Sequence, residues 1–165
     1  KKIVAAVDDM SDLRVLGRPD MNLVSFTSDT VSVFHIVDEM KQLGWYIQPQ
    51  LGFGCSPHNI HLSLNASNVR WADALIADLK TCVERAKKLP SGELAKLVPG
   101  LLANVDPAQF TDEAFSQMLA MAGMKGTEVP DRTAEINEVL NALSPEFREL
   151  VLTHFFNDLF RPPAG

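Results

Sequence analysis

After Asp29 the sequence runs TVSVFHIVDEMKQLGWYIQPQLGFGCSPHNIHLSLN to Asn65, and its spacing admits few folds. Val33, Ile36, Val37, Met40 and Leu43 recur at three-four intervals, the stripe of an amphipathic helix. His35, Asp38, Glu39, Lys41 and Gln42 fall on the opposite, polar face. Gly44 suits the left-handed position that ends helices. Trp45 to Gln48 then reads as a strand, Pro49 to Asn59 as a glycine-bearing loop, and Ile60 to Leu64 as a second strand. Alternation in that second strand sets His61 and Ser63 against Ile60, Leu62 and Leu64.

The flanks extend the pattern. Lys2 to Met10 reads as the end of a helix with Ile3, Val4 and Val7 on one face. Leu13 to Leu16 reads as a short strand closed by the turn Gly17-Arg18-Pro19-Asp20. Leu23 to Thr27 alternates like a half-buried strand, and Ser28, Asp29 and Thr30 are cap candidates for the helix beyond. Asn65, Ser67 and Asn68 offer caps for a helix over Val69 to Leu89. Its stripe is Ala72, Leu75, Ile76, Leu79, Cys82, Val83 and Ala86, and Pro90-Ser91-Gly92 ends it. The order α-ββα-ββα predicts a two-layer α/β (α+β) domain over residues 1–90, with the helices on one face of a small sheet.

From Glu93 the texture becomes all-helical, a C-terminal extension over residues 91–165. Breaks are expected at Pro99-Gly100, Asp106-Pro107 and Gly123 to Pro130. Ser144-Pro145-Glu146 is a helix start, a capping serine with proline at the first helical position. Met118, Met121 and Met124 repeat every three residues, with core gap-filling the simpler account and a greasy binding groove the other. Phe147, Phe155, Phe156 and Phe160 are too apolar for a free-standing surface helix, which points to packing on another subunit or domain.

Composition excludes several function classes. With 165 residues the chain can bury one core, or one core plus a helical appendage. Fifteen basic against 21 acidic residues give a net charge of -6, which argues against nucleic acid as a partner. The densest basic groups, Lys1-Lys2 and Arg85 to Lys88, read as solvated helix faces. The two cysteines, Cys55 and Cys82, make no disulfide framework, so a reducing, cytoplasmic compartment is expected. No apolar run approaches the roughly 18 residues that span a bilayer. Residue 1 is Lys rather than Met, which leaves open a start inside a longer gene product.

Gly17-Arg18-Pro19 after the first strand, Leu43-Gly44-Trp45 at the helix end, Asn59-Ile60-His61-Leu62 in the last strand and Pro130-Asp131-Arg132 carry a resemblance. Over Lys1 to Lys88 the chain resembles the C-terminal small domain of fold-type-I pyridoxal-phosphate enzymes, most of all sphingosine-1-phosphate lyases and their group II decarboxylase relatives. The remainder is similar only in patches. The resemblance implies a large catalytic domain holding pyridoxal phosphate on a lysine that follows a histidine. It also implies a homodimer and a cofactor acting as an electron sink. This chain has no His-Lys pair. Lysines 1, 2, 41, 80, 87, 88, 96 and 125 sit on polar helix faces or in breaks, where none acquires the lowered pKa that an imine-forming amine needs. The chain is therefore read either as part of a larger enzyme, with the cofactor on the missing large domain, or as a lone domain without the chemistry.

His61 separates the branches of that family. Decarboxylase relatives commonly carry arginine at the matching strand position, where a guanidinium clamps the substrate carboxylate in a way imidazole does not. Histidine favours a substrate lacking that carboxylate, such as a phosphorylated, lipid-like sphingoid base cleaved between C2 and C3. His61 is thus the first substrate-lining candidate, with a strand histidine held by core hydrogen bonds as the plainer reading. His58 and Cys55 share the loop and are candidates for contact with substrate or with the neighbouring domain. A thiolate-imidazole pair lacks a third orienting group, and metal binding by Cys55, His58 and His61 lacks a fourth ligand. Arg18 could reach a phosphate, against the default of an exposed turn arginine. His35 and His154 read as surface or interface residues. The rival readings are the C-terminal domain of an amino-acid decarboxylase, and a non-catalytic ligand-binding or protein-interaction module.

Overall fold

Helix α1 (Lys2–Asp8) turns Ile3 and Val7 inward. Two strands follow, β1 (Arg14–Val15) and β2 (Leu23–Thr27), then helix α2 (Val33–Gln42). Strands β3 (Gln48–Gln50) and β4 (Asn59–Ser63) precede a 3-10 turn (Val69–Trp71) and helix α3 (Ala72–Ala86). The sheet is antiparallel throughout, in the order β1-β2-β4-β3. This computed structural model describes residues 1–90, 92–102, 105–107, 111, 113, 114, 117, 120 and 130–160. The chain divides into two units, Lys1–Ser91 and Gly92–Gly165.

Register explains the first core. Val24 stands opposite Leu62 and Phe26 opposite Ile60, and all four are buried. Facing residues share a sheet face, so these pairs form its apolar side. The same ladder sets Ser25 opposite His61 and His61 opposite Gln48, a polar row on the other side. Helix α2 packs on β3, β4 and α3. Its Val33, Ile36 and Met40 are fully buried, as are Leu79 and Cys82 of α3 to within a few per cent. Burying each large apolar side chain contributes about 1.5–3 kcal/mol.

Several expectations are corrected. The strand predicted over Trp45 to Gln48 starts only at Gln48 and runs through Pro49, which pairs with Ile60. Proline is tolerated there because β3 is an edge strand. The polar face of α2 is solvated only at its end, where Lys41 and Gln42 are exposed. His35, Asp38 and Glu39 are all buried, so His35 is no surface residue. Helix α3 covers that side, and its Arg85 reaches Glu39 at 3.8 Å. The N-cap of α2 is Ser32, not Ser28, Asp29 or Thr30. Ser28 Oγ instead accepts from the amides of Thr30 and Val31 (3.2 and 2.9 Å), holding the turn that leads in. Gly44, at φ 84°, ends α2 in the left-handed region that glycine enters without strain.

In the second unit, helix α4 (Glu93–Leu102) runs through Pro99, where the sequence predicted a break. Helix α5 (Ala134–Ala142) packs on α4, and α6 (Pro145–Leu159) follows after two residues. Leu143, Phe147 and Val151 form a buried cluster with Val98, Leu102, Leu140 and Phe155 against it. Phe147 and Phe155 are thus absorbed by the unit itself, whereas Phe156 and Phe160 remain 50% and 80% exposed. Ser144 caps α6 by accepting from the Phe147 amide, and Arg148 donates to the carbonyls of Leu140 and Asn141 at the end of α5 (2.9 and 3.0 Å). Met118, Met121 and Met124 lie outside the described residues.

Candidate functional site

His61 sits mid-strand on β4, half-buried, between Ser25 of β2 and Gln48 of β3. The Gln50 amide lies 3.2 Å from His61 Nδ1. With the amide nitrogen donating, Nδ1 is the acceptor and Nε2 carries the ring proton of the neutral tautomer. Beside His61 opens a cleft of about 340 Å³. Trp45, Tyr46 and Ile47 form one wall, leading into β3. Val69, Trp71 and Leu75 form the wall at the start of α3. Gln48, Ser63 and Asn68 add polar groups.

Local sequence fixes these walls. Trp45 follows the helix-ending Gly44, and its indole Nε1 donates to Asp78 of α3 at 2.7 Å. Asn65 and Asn68 build the turn before α3: Asn65 Oδ1 accepts from the Ser67 and Asn68 amides, and Asn68 Oδ1 accepts from the Asn65 amide at 2.8 Å. That turn delivers Val69 and Trp71 to the cleft and leaves Arg70 with its guanidinium carbon 5.2 Å from the Trp71 ring centroid.

Of the four residues singled out in the sequence, the cleft contains His61 alone. Cys55 is exposed on a tight turn in which Phe53 and Ser56 exchange backbone hydrogen bonds (3.0 and 2.9 Å) around Gly54. His58 stacks at 5.5 Å on Phe34, and its carbonyl accepts from Thr27 Oγ1 at 2.7 Å. Arg18 is exposed in the turn after Gly17. Among the described residues no three His, Cys, Asp or Glu side chains are grouped to hold a metal ion. Tyr46 and Trp71, one on each wall, have no periodic signature in the sequence. For Trp71 the one local signal was the asparagine-rich turn that feeds it into a helix start.

Every described lysine is exposed. Lys87 is pushed above its ordinary pKa by its hydrogen bonds to Asp12 and Glu84, the opposite of what imine formation needs.

Residues 94–158 match the family model described as "Pyridoxal-dependent enzyme, C-terminal putative HTH domain". The chain is, in class, similar to the C-terminal region of pyridoxal-dependent enzymes. More particularly, it is similar to part of sphingosine-1-phosphate lyases. It is 31% identical to the lyase of Oryza sativa subsp. japonica, over 54% of this chain and 16% of the relative. It is 29% identical to that of Arabidopsis thaliana, over 60% of this chain and 18% of the relative. A solved structure of the Burkholderia pseudomallei lyase matches 64% of this chain and 23% of its own, at 27% identity and a TM-score of 0.47. The chain thus spans less than a fifth of the length of these curated relatives.

Proposed function

We propose that the chain is the C-terminal part of a fold-type-I, pyridoxal-phosphate-dependent lyase acting on a phosphorylated sphingoid base. The observation that carries this reading is the shared similarity to sphingosine-1-phosphate lyases of plants, a slime mould, yeast and a fly. The reaction is cleavage of the C2–C3 bond, giving a long-chain aldehyde and phosphoethanolamine. The cofactor, held by the large domain, supplies an electron sink for that cleavage. This chain supplies one wall of the site through the His61 row, where an imidazole in place of a guanidinium suits a substrate with no carboxylate to clamp. Exposed Phe156 and Phe160 support a helical unit that packs on the large domain or on the second subunit of a homodimer. The exposed free thiol of Cys55 supports a reducing, cytoplasmic setting. No helix among the described residues is long and apolar enough to cross a membrane.

The test is turnover by the full-length parent enzyme. Release of long-chain aldehyde from a sphingoid phosphate, without carbon dioxide from amino acids, is expected; the reverse pattern would make the parent a decarboxylase. In the same enzyme, His61→Ala should lower kcat/KM about tenfold, the weight of one hydrogen bond in a desolvated site. Unchanged kinetics would remove His61 from the substrate's surroundings.

A further inference from the structure

His61 lines the cleft, whereas Gln50 does not. Both stand on the polar side of the sheet, where β3 and β4 set Gln48 opposite His61 and Gln50 opposite Asn59. Gln50 therefore reaches His61 diagonally, a distance that a long side chain spans. Its amide nitrogen ends 3.2 Å from Nδ1, on the side of the ring away from the cleft. With Nδ1 engaged there, Nε2 is the ring nitrogen left to face a guest. An amide nitrogen only donates, so Nδ1 accepts and the ring proton sits on Nε2. Turned over, the same amide would accept from Nδ1–H through Oε1 and leave Nε2 with a lone pair. One side-chain amide outside the cleft thus decides whether the cleft presents a donor or an acceptor.

We infer that Gln50 is a positioning residue, whose amide holds His61 as an Nε2–H donor turned into the cleft. A donor stripped of water by a guest needs an acceptor. The cleft then favours a group with a lone pair, such as a hydroxyl or carbonyl oxygen, over an ammonium. A part in turnover rests on the reading of this face as a wall of the lyase site. The polarity of the hydrogen bond does not.

Nitrogen NMR of the imidazoles in the 165-residue chain reads the tautomer directly, since protonated and bare ring nitrogens resonate far apart. Spectra are taken in mildly alkaline buffer, above the ordinary titration range of histidine. Of the four histidines, His61 is assigned by the signals lost in His61→Gln. Wild type should show Nε2–H alone. Gln50→Met, similar in length but without the amide, should give a mixture of tautomers. Gln50→Glu, whose carboxylate accepts from Nδ1–H, should place a proton on Nδ1. Gln50 is only half-buried on an edge strand, so both variants should keep the fold, which a thermal melt checks. A mixture or an Nδ1–H ring in wild type, or a ring unchanged in either variant, overturns the proposal. In the parent enzyme, Gln50→Glu should lower kcat/KM about tenfold, as should His61→Ala, and the double variant should lose no more than either alone. Additive losses would mean that Gln50 acts independently of His61, and they overturn its positioning role. Tautomers as expected, with turnover unchanged by both single variants, uphold the hydrogen bond and sink the reading of this face as a wall of the site.

Discussion

Asp12 joins three segments that are far apart in sequence. It accepts from Thr30 Oγ1 at 3.1 Å and from Lys87 Nζ at 2.6 Å, while Lys87 also reaches Glu84 at 2.7 Å. The Lys87 hydrogen bond holds the Asp12 carboxyl below its ordinary value of 3.8, and Asp12 in turn holds Lys87 above 10.5. A lowered carboxyl pKa gives stability that is present above 3.8 and lost as pH falls through the folded value. A raised lysine pKa gives stability that is present below 10.5 and lost as pH rises through the folded value. Asp12→Asn should therefore lower the melting temperature modestly at neutral pH, with the difference from wild type closing in strong acid and strong base. A constant difference across that range would mean that packing, not charge, ties the segments. The thiols make a second case. Cys55 is exposed, whereas burial pushes Cys82 up to about 11. A thiol reagent should label one cysteine per folded chain and both after denaturation. Cys82 was legible because its stripe is helical and apolar. The burial of His35, Asp38 and Glu39 was not, since it comes from tertiary packing such as that of α3, whose Arg85 meets Glu39 from 46 residues further on.

Among the elements, local chemistry and tertiary context divide the outcome. Helix α6 begins where Ser144-Pro145-Glu146 says it should, and Ser144→Ala should cost about 1 kcal/mol by urea unfolding. Strand β2 keeps its predicted bounds because alternation and register agree, and Phe26→Ala, at full burial opposite Ile60, should cost about 3–5 kcal/mol in the same assay. A loss under 1 kcal/mol at Phe26 would mean that the sheet core is not packed as described. Strand β3 was misplaced by a few residues because Pro49 reads locally as a strand breaker. Only the sheet order, invisible in the sequence, places that proline on an edge. Pro99 misled in the same way, since the packing of α4 on α5 supports a helix that proline alone would break. For the cleft, sequence spacing delivered His61. It missed Tyr46 and Trp71, which line the cleft with His61 through pairing and turn geometry rather than any periodic pattern.

At the scale of the whole molecule, charge is partitioned. Residues 1–91 carry ten basic and ten acidic side chains, whereas residues 92–165 carry five and eleven, so the second segment holds the entire net charge of -6. The matching family model names a helix-turn-helix domain there, yet such acidity repels a phosphate backbone. Fluorescence anisotropy with a labelled DNA duplex at low salt should detect no binding, and a salt-sensitive rise would refute this. The cleft of the first segment has a further consequence. One of its walls is anchored, with the Trp45 indole tied to Asp78, while the adjacent Tyr46 stands 94% exposed. A guest meets one surface already in place and one still free to settle. For a ligand docked there, Tyr46→Ala should raise the dissociation rate more than it changes the association rate.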